Sequence, residues 1–164
     1  MKWLSIDNAL VTSGYAVFDN EKLIDYGTFT IKKTLPIERR LNAIMQEINK
    51  IYAEHEDIGK IVFEDIQLEH GNVLTFKKLA YVQSAILLWC FYNEMDYEIL
   101  MPSVWRKILG GSFGRKREEQ KQHAIDLIND KFNVKVDSDT ADAICIGLAA
   151  IKESKSSEIG FNDE

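Results

Sequence analysis

Three short apolar clusters precede the first helical pattern in the chain. Trp3, Leu4 and Ile6 make residues 2–8 a strand candidate, and residues 13–19 make a second, joined to it by the tight connection 8–12. Leu23, Ile24, Tyr26, Phe29 and Ile31 alternate roughly with polar residues, so 22–31 reads as a third strand. Asp19-Asn20-Glu21 supplies the turn between the second and third, and the three together predict an antiparallel meander.

The period then changes. Pro36 stands at a helix start, and Ile37, Leu41, Ile44, Met45, Ile48, Ile51 and Tyr52 form one helical stripe. After Gly59, residues 60–65 are apolar on both faces, as in a central strand. A long helix is predicted over 72–93, with apolar positions spread wider than one stripe; either deep burial or a second surface against a partner would explain this. A fifth strand, 97–101, is stopped by Pro102, and a short helix through Trp105 and Ile108 follows. Gly110, Gly111 and Gly114 form a loop before helices at 116–131 and 139–152. The order βββ-α-β-α-β-α-α-α places one mixed five-stranded sheet among helices in a single α/β domain, 1–153. Residues 154–164 read as a polar, disordered tail.

Composition narrows the class. The 164 residues are 46% hydrophobic and 28% charged, which are globular values. No apolar run approaches the ~18 residues of a membrane span, and residues 1–7 lack the pattern of a signal peptide, so a cytoplasmic location is expected. Cys90 and Cys145 lie far apart in apolar helical runs and read as buried thiols; His55, His70 and His123 lack zinc-ligand spacing. The net charge is −6, yet Arg106, Lys107, Arg115, Lys116, Arg117 and Lys121 face only Glu118 and Glu119 between Pro102 and His123. A basic segment inside an acidic chain is a candidate surface for a nucleic-acid backbone.

The candidate chemistry lies in four carboxylates. Asp7 and Glu64 each end an apolar strand, where an unpartnered carboxylate costs several kcal/mol to desolvate. Asp139 and Asp142 share one helix face, with Cβ atoms ~5–6 Å apart. Taken singly, the helical pair could serve the positive end of a helix dipole, with Asp137 or Ser138 as cap, and Glu64 could be a surface carboxylate. Asp7 has no such task. If the four converge, hard divalent cations such as Mg²⁺ or Mn²⁺ are the natural partners, and a pair of them suits phosphodiester cleavage.

The residues Ser5-Ile6-Asp7 with Thr12 to Val17, Val62-Phe63-Glu64-Asp65, and Asp139-Thr140-Ala141-Asp142-Ala143 through Ala149 resemble, in order and spacing, the RuvC-type Holliday-junction resolvases. The likeness extends over residues 1–152. It implies a ribonuclease-H-like fold, a homodimer, and Mg²⁺-dependent paired nicking of branched DNA, with two ions per site and Mn²⁺ as a substitute. By position Asp7, Glu64, Asp139 and Asp142 would be the metal ligands, Asp7 bridging both ions. Arg106 or Lys107, and Lys116 or Arg117, would serve the scissile phosphate or the backbone.

Two departures qualify the resemblance. Family members tend to carry an aromatic residue three positions beyond the second acid, where this chain has Gln67. Its acidity and short length resemble a phage-borne variant, which would act in the host cytoplasm; Y-shaped or flapped DNA then joins the four-way junction as a candidate substrate. An RNase-H-type hydrolase of RNA–DNA hybrid and a non-catalytic branched-DNA-binding protein are the alternatives on the same fold. Trp3 and Trp89 read as core, and Trp105 as a helix anchor rather than a base-stacking residue.

Overall fold

The computed structural model describes residues 1–160. The meander forms as expected: β1 (Lys2–Asp7), β2 (Thr12–Asp19) and β3 (Lys22–Thr30) pair antiparallel, with Asn20 in the left-handed conformation at the second turn. Helix α1 (Ile37–Glu54) carries the chain to β4 (Ile58–Glu64), which lies parallel to β1. Helix α2 (Val73–Tyr92) leads to β5 (Asp96–Leu100), parallel to β4 and at the sheet edge. The strand order is β3-β2-β1-β4-β5, so the two strands ending in acids are central neighbours. Helices α3 (Pro102–Leu109), α4 (Arg117–Phe132) and α5 (Ser138–Gly160) complete the chain.

The sheet separates two cores. Leu4, Ile6, Val17, Ile61 and Phe63 pack on α1 and α2, while Trp3, Ala16, Phe18, Val62 and Leu100 pack on α3, α4 and α5. Strand side chains alternate between faces, so Asp7 follows Trp3 and Ser5, and Glu64 follows Val62, to the α5 side. The middle of α5 is buried all round from Ala143 to Ala150, which explains its run of alanine and isoleucine.

Two expectations need correcting. Helix α5 continues through residues 154–160 instead of giving way to an irregular tail; residues 161–164 lie outside the described residues. The hydroxyls of Ser154, Ser156 and Ser157 donate back to the carbonyls of Ile151, Lys152 and Glu153, and Lys155 pairs with Glu21 at 2.9 Å. In this serine-rich polar run the hydroxyls are satisfied within the helix, by carbonyls of the preceding turn. Helix α2 is long and apolar enough, by composition, to cross a membrane, contrary to the reading that no apolar run approaches that length. Its inner residues Val82, Ile86, Trp89 and Cys90 belong to the α1-side core, while Leu88, Phe91 and Tyr92 are exposed. Deep burial therefore does not account for its broad apolar surface.

Candidate active site

Parallel pairing brings Ile6 opposite Phe63, so the next residues, Asp7 and Glu64, leave the sheet side by side at its carboxyl end. Helix α5 is brought to them by two close contacts. The buried Ser5 hydroxyl donates to the Ala143 carbonyl at 2.7 Å, fixing the turn that carries Asp142. Gly14, opposite Asp7 in the β1–β2 register, lets the first turn of α5 lie against the sheet: a Cβ there would stand 2.0 Å from the Asp139 carbonyl oxygen. Asp137 caps the helix, its carboxylate accepting the Thr140 N–H at 2.8 Å, so Asp139 is free of that task.

The four acids feel one another. Burial, then the charges of Glu64, Asp142 and Asp139, raise the Asp7 carboxyl well above its usual range, and Lys121 of α4 opposes this. Asp142 is pushed up to about 7, chiefly by burial and then by Glu64, against the pull of Arg106 and Lys121. Burial also raises Glu64, offset by a hydrogen bond from the Trp105 indole N–H to its Oε2 at 2.8 Å and by the Arg106 charge. The neighbouring Asp65 has a different role. It accepts hydrogen bonds from the Ile66 N–H and the Gln83 amide, tying the end of β4 to α2.

The six basic residues of the 102–123 segment separate. Arg106 and Lys121 act directly on the carboxylates. Lys107, Arg115, Lys116 and Arg117 are exposed, and Arg117 stands 3.9 Å from Glu69 across the β4–α2 connection. Trp105 is buried as an anchor, as expected, but sequence gave no sign of its bond to Glu64. A cue was available only in the aromatic set beside a proline-led helix directly after β5, which places an indole near the strand ends.

A second polar cluster also escaped sequence spacing. Asp25, Glu54 and His55 bring ligand atoms within 4.8 Å of one another on the opposite face of the sheet, with His55 Nε2 2.7 Å from Asp25 Oδ2. Among the described residues no three of the four acids bring ligand atoms that close, as expected of carboxylates that repel one another. The acids offer an all-oxygen donor set on three rigid elements, which fits a hard divalent ion.

The raised carboxyls fix a sign. Asp142 binds its proton more tightly in the folded chain (about 7) than when unfolded (3.8), so stability in chelator falls as pH rises across that interval. A melting series is therefore expected to show lower Tm at pH 8 than at pH 5 in chelator, with Mg²⁺ restoring far more at pH 8. Equal Mg²⁺ shifts at both values would contradict the assignment.

A mixed five-stranded sheet of order β3-β2-β1-β4-β5 with helices on both faces is a ribonuclease-H-like fold. No family model matches the chain. It is 29% identical over 161 residues to the crossover junction endodeoxyribonuclease RuvC of Finegoldia magna, covering 94% of this chain and 95% of that one. Its fold matches that of Thermus thermophilus RuvC with a TM-score of 0.77 at 17% identity, covering 96% and 97% of the two chains. The same enzyme in complex with a Holliday-junction substrate matches with a TM-score of 0.75 at 16% identity, over 95% and 96%. In sequence and in fold the chain is similar to these RuvC proteins.

Proposed function

We propose that the protein is a metal-dependent, structure-selective DNA endonuclease that resolves four-way junctions by paired phosphodiester hydrolysis. One observation carries the reading: Asp7, Glu64, Asp139 and Asp142, remote in sequence, are electrostatic neighbours at the carboxyl ends of β1 and β4. Their likeness in order and spacing to RuvC supports Mg²⁺ as the resident ion, two per site, which Asp7, Glu64, Asp139 and Asp142 would hold. When bound, such a pair activates the attacking water and stabilises the leaving oxygen of an in-line displacement.

The protein's own groups have distinct tasks. Asp7 and Glu64 stand on rigid strands and fix one side of the site, while Asp139 and Asp142 close it from α5. Arg106 and Lys121 place positive charge beside the carboxylates, where a scissile phosphate would otherwise meet only repulsion. Lys107, Arg115, Lys116 and Arg117 offer exposed charge for the flanking backbone, so binding weakens as added salt reduces the gain from counterion release. Gln67 is exposed on the connection after β4 and offers no aromatic ring to the junction centre, which supports tolerance of Y-shaped or flapped DNA. Action on chromosomal or phage DNA in a bacterial cytoplasm fits this reading.

Paired cutting requires two sites, and the outer face of α2 supports a homodimer. Phe91 and Tyr92 are 76% and 77% exposed, and Leu88 and Tyr92 border a groove of about 280 Å³ with Met45 of α1. A charge at Leu88 (Leu88→Glu) is expected to convert dimer to monomer in sedimentation and to uncouple the two nicks. An unchanged dimer with unchanged paired cutting would exclude this face.

The activity is tested with a panel of four-way junction, three-way junction, flap, linear duplex and RNA–DNA hybrid, each with Mg²⁺, Mn²⁺ or chelator. Metal-dependent nicking of the four-way junction, with the linear duplex spared, is expected. Preferential cutting of hybrid would favour the RNase-H-type alternative, and binding without nicks a non-catalytic role.

A further inference from the structure

We propose that Trp105 is a positioning residue that holds Glu64 and Arg106 in register with each other, so that ion affinity depends on a single indole. The proposal rests on the nuclease reading above. Trp105 is 1% exposed, the first turn of α3 places it under the carboxyl end of β4, and its Nε1–H donates to Glu64 Oε2 at 2.8 Å. An indole N–H can only donate, so it engages one oxygen of the carboxylate and leaves Oε1 with both lone pairs available. The ring itself is immobilised by Phe113, edge-on at 5.5 Å, which in turn lies 4.2 Å from the His123 ring.

The face of the same indole holds a cation. The Arg106 guanidinium carbon stands 4.8 Å from the ring centroid, and its buried Nε has no hydrogen-bond partner among the described residues. The stacked position compensates part of what the guanidinium lacks in hydrogen bonding. One side chain therefore fixes a carboxylate by its edge and a guanidinium by its face. Outer partners that orient a ligating carboxylate typically change metal affinity or activity 10–100-fold when removed.

Trp105→Phe keeps the stacking face and most of the volume but deletes the N–H. Calorimetric titration of the DNA-free protein is expected to show Mg²⁺ affinity about tenfold weaker in this variant than in the wild type. In ¹⁵N-indole-labelled wild-type protein, the Trp105 N–H resonance should move with the same apparent constant as Mg²⁺ uptake. Trp89, whose Nε1 donates to Asn49 at 2.6 Å on the other side of the sheet, should stay fixed as the internal control. A folded Trp105→Phe protein with wild-type Mg²⁺ affinity would overturn the proposal. If that variant does not fold, the wild-type spectrum decides: a Trp105 resonance unmoved during measurable uptake overturns it equally. No uptake by the wild type would remove the nuclease reading as well, which separates the two failures.

Discussion

Asp7→Asn is expected to reduce metal-dependent cleavage of a four-way junction by about a thousandfold or more while leaving junction binding nearly intact. The exchange preserves shape and removes the charge at the point where Glu64, Asp139 and Asp142 all act. Transition-state stabilisation by bound ions amounts to several kcal/mol, and each 1.36 kcal/mol is tenfold in rate, so losing a proposed metal ligand reaches about that scale. Binding is expected to survive because the proposed backbone contacts, Arg106, Lys107 and the exposed basic loop, are left unchanged by the exchange. A second signature accompanies the loss. The Asp7 carboxyl is raised by burial and like charges, so its anion destabilises the metal-free fold near neutral pH. The variant should therefore melt higher than the wild type in chelator at pH 8 and gain less from Mg²⁺. Retained cleavage, or a lower Tm in chelator, would contradict the assigned environment of Asp7.

Gly14→Ala is the substitution with the largest expected cost in stability outside the acids. The added methyl would fall 2.0 Å from the Asp139 carbonyl oxygen and 2.5 Å from its carbonyl carbon, and both are backbone atoms that no rotamer change can move. Helix α5 would have to retreat from β2, taking Asp139 and Asp142 with it. Overpacking that shifts backbone costs about 1–3 kcal/mol or more. Denaturant unfolding is expected to show a loss at or above the upper end of that range, and calorimetry of the surviving folded fraction a loss of Mg²⁺ affinity. A Gly14→Ala protein with native stability would mean that α5 does not approach the sheet this closely.

The period of the apolar residues carried most of the architecture. Strand alternation in Trp3-Leu4-Ser5-Ile6 and the two-faced apolar run before Glu64 were enough to place both acids at strand ends. The proline at 36 and the stripe from Ile37 to Tyr52 were enough for α1. The side-by-side placement of Asp7 and Glu64 was legible for the same reason, since carboxylates ending buried strands have few bland roles. What remained hidden depends on approach in space. The contact of Gly14 with Asp139 and the bond of Ser5 to Ala143 join residues over a hundred positions apart, and no local pattern encodes them. The division of the basic segment into Arg106 and Lys121 at the carboxylates and four exposed neighbours follows from how α3 and α4 dock. Likewise residues 154–160 continue the helix begun at Ser138, where composition alone suggested a tail.

The most direct measurement is anomalous diffraction from crystals soaked in Mn²⁺. Peaks are expected among the carboxylates of Asp7, Glu64, Asp139 and Asp142, lost in crystals of Asp7→Asn. Density confined to Asp25, Glu54 and His55 on the opposite face, or no ordered manganese at the four acids, would contradict the account.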